Sequence, residues 1–227
     1  KGQQIVCKYP EFATQNEIQF IMNKWNTAEA LMYNESATYA ELDAVIDVES
    51  FAKMYLIQEL TKNLDGGATS YYVYYHDGKL HAGVAWDYDW TLGQYEKTYA
   101  DRVQSGSDFA DQIDANPSHS GGWYLNSKKI YNGSDFNAQA ALCQNDAFWG
   151  VVTAEWNEIF YNEAIKFTNN TSSNISSMDG IIAEFYNQVK ASTAMDEDKW
   201  GLIASDPFVT NNWGSTDTGD IHDDAVE

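Results

Sequence analysis

Asp65 and Asp87 are the two side chains whose positions suggest chemistry. Asp65 follows Glu59-Leu60-Thr61-Lys62-Asn63-Leu64 and precedes Gly66-Gly67, whereas Asp87 stands in Trp86-Asp87-Tyr88-Asp89-Trp90. Between them, Tyr71-Tyr72-Val73-Tyr74-Tyr75 and Leu80-His81-Ala82-Gly83-Val84-Ala85 flank His76-Asp77-Gly78-Lys79, and an Asp-Gly centre favours a tight hairpin turn. A hairpin returns the chain to where it began, so both acids are expected near one end of it. Like charges placed together call for a cation. Hard oxygen donors select magnesium, manganese or calcium, and magnesium commonly takes one or two protein carboxylates and completes its shell with water and phosphate oxygens. Phosphoryl transfer uses such a pair: one carboxylate orients or accepts the proton of the attacking hydroxyl, and another holds the ion that neutralises the phosphate. The competing reading is that acids at turns and strand ends are solvated, capping or calcium-binding groups. Trp86, Tyr88 and Trp90 weigh against plain solvation, because a carboxylate desolvated beside them needs a cation or donors.

The elements that must position these acids are legible in outline. Thr14-Gln15-Asn16-Glu17 forms a capping box that opens a helix to about Tyr33, with Ile18, Ile21, Met22, Trp25 and Ala28 on its apolar side. Asp47 caps a second helix, in which Val48, Phe51, Ala52, Tyr55, Leu56 and Leu60 recur at helical spacing. It must stop near Asn63, because Asp65-Gly66-Gly67 follows. The hairpin comes next, and then a polar, weakly periodic excursion from about Glu96 to Ser134. Helical patterning resumes from Asp135 to about Phe167, with a break expected near Asn145 and Phe136, Ala140, Cys143, Ala147, Val151, Trp156, Ile159 and Phe160 on the buried side. A linker over Asn169 to Ser177, a helix carrying Ile181, Ile182, Phe185 and Val189, and an irregular tail after Trp200 complete the pattern. The fold class is α+β, mostly helical, with one short hairpin. Its order of helix, acid, two strands and second acid is that of a protein-kinase catalytic lobe.

Composition sets outer bounds. With 227 residues and 44% hydrophobic content, the chain can bury the core of one medium domain. A formal net charge of -21 repels nucleic acid and anionic membrane surfaces. No run approaches the ~20 apolar residues of a membrane span, and the N-terminus lacks the regions of a signal peptide. Cys7 and Cys143 lack C-x-x-C spacing, which argues against a zinc or redox site and leaves either a disulfide or two buried thiols. His76 and His81 read as exposed strand-end residues and stay outside the site. The tyrosines from Tyr71 to Tyr75 read as strand packing, and Trp123, Trp149, Trp156 and Trp213 as core or loop anchors. High acidity with many Asn, Tyr and Trp suits an extracellular or cell-surface bacterial protein.

Glu59 to Asp65, Gly78-Lys79-Leu80, and Gly83-Val84-Ala85-Trp86-Asp87-Tyr88-Asp89-Trp90-Thr91-Leu92-Gly93 together resemble the signature of CotH-like (spore coat protein H) kinase domains. The likeness takes in Lys8-Tyr9-Pro10-Glu11 and Asp47 to Phe51, and continues through Phe148-Trp149, Trp156-Asn157 and Gly214 to Thr218. The resemblance implies a single atypical kinase domain over residues 1–227 that uses ATP and magnesium or manganese, with calcium as a further candidate, to phosphorylate protein serines. It would act at the cell surface, outside the cell or in the spore coat. By that likeness Asp65 is the catalytic acid, Asp87 the metal-holding acid, Asp89 an auxiliary metal or supporting group, and Asn63 an auxiliary residue whose carbonyl orients the loop or the ion. No Gly-rich phosphate loop precedes Asp47 and Lys8 suits that role poorly, so the chain is expected to lack the family's N-terminal nucleotide-handling portion. Two alternatives remain from the residues alone. One is a non-catalytic calcium- or glycan-binding module of a cell-surface or carbohydrate-degrading assembly. The other is a glycosidase with paired carboxylates about 5 to 9.5 Å apart.

Overall fold

The structure, a computed structural model, describes residues 5–61, 63, 70–88, 91, 125, 137–168 and 181–200. Helix α1 (Gln15–Met32) opens with the expected reciprocal cap: Thr14 Oγ1 accepts from the Glu17 amide, and the Glu17 carboxylate accepts from Thr14 N and Oγ1, both at 2.7 Å. Trp25, Ala28, Glu29 and Met32 form its buried face, so burial is concentrated in the C-terminal half, and Met22, expected on that face, is exposed. A second capping box, Thr38 with Glu41, opens the short helix α2 (Tyr39–Asp43). Helix α3 (Val48–Leu60) starts at Asp47, whose Oδ1 accepts the Ser50 amide at 2.7 Å. Val48, Phe51, Ala52, Tyr55 and Leu56 are buried as their spacing suggests, but so are Met54, Gln58 and Glu59. The helix is thus covered on more sides than an amphipathic stripe requires, while Leu60 at its end is exposed.

The hairpin pairs β1 (Val73–His76) with β2 (Lys79–Ala82), in the register Val73 with Ala82 through His76 with Lys79. Asp77 and Gly78 turn with φ of 47° and 88°, the two left-handed positions that a two-residue turn of this kind demands. Backbone bonds pin the hairpin to the start of α3: Leu80 N donates to Val45 O at 2.9 Å, and Asp47 N donates to Leu80 O at 2.8 Å. Ser50 Oγ accepts from Ala82 N at 3.0 Å, and Lys79 Nζ reaches Asp43 at 2.8 Å. Beyond the ladder, Gly83 N donates to Tyr72 O at 2.7 Å. A Cβ at position 83 would stand 3.0 Å from that oxygen, so glycine permits the approach.

After Leu125, which is buried, the next described segment is helical. Asn137 caps α4 (Ala138–Leu142), the helix breaks at Asn145, and α5 (Asp146–Glu155) follows. A π-helical turn at Trp156–Phe160 leads into α6 (Tyr161–Thr168), and α7 spans Ile181–Trp200. Ile159, expected on the buried side, is exposed, and so are Phe185 and Val189 on α7. The chain divides into two compact units. The first comprises Lys1–Gln58, Asp65–Asp87 and Leu125–Glu155; the second comprises Glu59–Leu64, Tyr88–Tyr124 and Trp156–Glu227. In the first unit α1 packs on α2, β2 and α4, and the core includes Leu42, Ile46, Phe51, Tyr55, Leu80, Leu142 and Phe148. Tyr55 meets the rings of Phe148 and Trp149 edge-on at 6.2 and 5.5 Å. In the second unit α6 packs on the π turn and on α7. The described fold is α+β: mostly helix, with one two-stranded antiparallel sheet. Among the described residues no helix is long and apolar enough to cross a membrane. Cys143 is buried, Cys7 is exposed rather than buried, and no disulfide joins them.

Candidate functional site

Asp87 lies five residues past the end of β2, at the exit of the hairpin, and its backbone is left-handed with φ of 63°. A non-glycine residue in that region is uncommon, and such conformations cluster at functional sites. Its carboxylate is exposed and accepts one hydrogen bond, from Ser70 Oγ to Oδ2 at 2.9 Å. Ser70 is itself left-handed, with φ of 49°. Between these two residues the mouth of the hairpin is closed by the Gly83 to Tyr72 backbone bond and by an edge-on contact between the Tyr72 and Trp86 rings at 6.1 Å. Trp86 and Val84 remain exposed beside it.

Asn63 and Tyr88 form a separate polar contact within the second unit. The Asn63 side chain is buried and hydrogen-bonds with that of Tyr88. Burial pushes the Tyr88 phenol up to about 12, against the opposing effect of the Asn63 bond, so the hydroxyl is neutral at physiological pH. The Tyr88 carbonyl accepts from Thr91 Oγ1 at 2.7 Å, and Thr91 is buried. Trp86 and Asp87 thus have their contacts in the first unit, and Tyr88 and Thr91 have theirs in the second. Asp65 and Asp89, the expected catalytic and auxiliary acids, lie outside the described residues, as do Trp90, Trp123 and Trp213.

The histidines behave differently from each other. His76 is exposed, as expected. His81 is half-buried: its ring stacks on Tyr74 at 5.1 Å, its Nε2 lies 3.2 Å from His76 O, and its Nδ1 faces Asp47 at 3.7 Å. These contacts fasten the hairpin to the cap of α3, a structural role that keeps His81 out of the site.

A family model described as CotH kinase protein matches residues 8–213. The chain belongs to the CotH kinase protein family. The matched span includes Asn63, Asp65, Ser70, Asp87 and Asp89. No curated protein and no solved structure matches the chain.

The donors present can be tested against the ions the resemblance implies. Among the described residues no three His, Cys, Asp or Glu side chains converge as a metal site. Asp87 offers a carboxylate with one hydrogen bond from Ser70, and an ionised carboxylate has further lone pairs to give. An accessible carboxylate fits an ion that keeps its waters and takes phosphate oxygens, as magnesium and manganese do. Ser70 was not legible as part of this site. Its type and its place after a Gly-rich stretch are ordinary for a loop, and its contact with Asp87 forms beyond the paired strands.

Proposed function

We propose that this CotH kinase chain is a divalent-metal- and ATP-dependent phosphotransferase domain that modifies serine hydroxyls of a protein acceptor. The observation that carries the reading is Asp87: an exposed carboxylate, left-handed and hydrogen-bonded by Ser70, at the exit of a hairpin in the family's matched span. Asp87 would hold magnesium or manganese, with Asp89 as auxiliary donor. The ion, when bound, neutralises charge on the transferring phosphate. Asp65 would accept or orient the proton of the acceptor serine. Asn63, through its bond to Tyr88, would steady the chain just after Asp87. The acidic composition and the CotH membership favour the cell surface, the extracellular space or the spore coat as the place of action.

The test is calorimetric titration of ATP with magnesium or manganese into the chain and into Asp87→Ala. Metal-dependent binding that disappears in Asp87→Ala is the expected result, with loss of transfer in Asp65→Asn. The exposed Trp86 also suits a glycan-facing, calcium-stabilised module. That second reading takes over if nucleotide binds neither protein while calcium alone raises thermal stability.

A further inference from the structure

We infer that Ser70 is a positioning residue for the metal-holding carboxylate: its hydroxyl fixes the orientation of Asp87 and so sets the affinity of the site for a divalent ion. This rests on the proposed role of Asp87 and goes one step beyond it. Three observations carry it. Ser70 Oγ lies 2.9 Å from Asp87 Oδ2, across seventeen residues of chain. Both residues hold left-handed backbones, so each projects its side chain from a conformation that is uncommon outside glycine, asparagine and aspartate. Two further rungs, the Gly83 to Tyr72 backbone bond at 2.7 Å and the Tyr72 to Trp86 ring contact at 6.1 Å, hold the two sides of the mouth at the spacing the hydroxyl needs.

The chemistry is that of a group behind a ligand. An exposed carboxylate with no neighbour samples several rotamers and must be ordered when an ion arrives. A hydroxyl bonded to one oxygen holds it in one rotamer and leaves the other oxygen, with its lone pairs, for the ion. Nothing is consumed or transferred by Ser70, so its effect belongs to binding rather than to a chemical step.

Position 70 also allows strain and hydrogen bonding to be separated. Ser70→Gly removes the hydroxyl and relieves the backbone, so a purely structural residue would tolerate it or gain stability. Ser70→Asn keeps a donor, and Asn tolerates left-handed φ. Manganese binding is measured by electron paramagnetic resonance, without nucleotide, for the wild type, Asp87→Ala, Ser70→Gly and Ser70→Asn, with thermal midpoints for each. Ser70→Gly is expected to bind manganese about tenfold more weakly with its midpoint held, as for other groups that orient a ligand, while Ser70→Asn recovers much of the loss. If Asp87→Ala abolishes binding but Ser70→Gly binds like wild type, the inference about Ser70 falls and Asp87 stands. If wild type and Asp87→Ala bind alike, or neither binds, Asp87 is no metal ligand and both fall.

Discussion

Asn145 joins two stretches of chain more than a hundred residues apart. Its Nδ2 lies 3.2, 3.0 and 2.8 Å from the carbonyls of Asn34, Glu35 and Ala37, and its Oδ1 accepts the Phe148 amide at 3.0 Å. The side chain thus caps α5 and closes the loop between α1 and α2. Since the site is buried, water cannot readily replace those bonds. Asn145→Ala is therefore expected to lower unfolding free energy by about 2 to 4 kcal/mol, combining a lost cap with stranded carbonyls. A urea midpoint that barely moves would show that the contacts are dispensable. Asn145→Asp keeps the cap oxygen but sets a charge against three carbonyls, so it should fall on the destabilised side as well. The break at Asn145 was legible because a short polar residue there interrupts the helical pattern, but the partners of its amide were not. Asp87 and Ser70 divide in the same way. The carboxylate announces itself in Trp86 to Trp90, whereas its hydroxyl partner depends on two left-handed backbones beyond the paired strands, neither of them written in residue type alone.

At the scale of elements, the strongest local signals are those in which one residue satisfies another a few positions away. Thr14 with Glu17, Asp47 with Ser50 and Asp77 with Gly78 each mark a boundary that the structure contains. Thr38 with Glu41 carries the same signature, yet α2 escapes a reading by periodicity because five residues complete little more than one turn. Burial is harder to read. Met22 and Leu60 sit at helical spacing but find no cover, since covering depends on what other elements bring. The capping boxes yield a prediction about pH. The backbone and side-chain bonds from Thr14 and Thr38 hold the Glu17 and Glu41 carboxyls below their ordinary 4.5. Each folded value is depressed, so each contribution to stability is present above 4.5 and is lost as pH falls through the folded value. The amide protons of Thr14 and Thr38 should titrate upfield with midpoints below 4.5 in proton–nitrogen correlation spectra. Glu17→Gln should abolish the transition at Thr14 and leave the one at Thr38. Transitions at the ordinary glutamate value would mean that the carboxylates do not cap.

For the whole molecule, the dominant physical fact is a formal net charge of -21, with 34 acidic against 13 basic side chains. Such an excess repels itself in the compact state, and the repulsion is screened by salt over a Debye length of about 10 Å at 0.1 M. Raising sodium chloride at neutral pH should therefore raise the thermal midpoint without any specific site. This bears directly on the metal question, because any divalent cation screens the same charge and would stabilise the protein even if Asp87 bound nothing. A divalent effect is informative only at constant ionic strength. Under that constraint, an ion bound by the folded state alone stabilises by RT ln(1 + [L]/Kd), about 2.7 kcal/mol at a hundred times Kd. We expect manganese at matched ionic strength to raise the midpoint of the wild type and to leave Asp87→Ala at its metal-free value, with sodium chloride raising both equally. If manganese stabilises the two proteins by the same amount, its effect is diffuse screening by a highly acidic chain, and the Asp87 carboxylate is not where the ion sits.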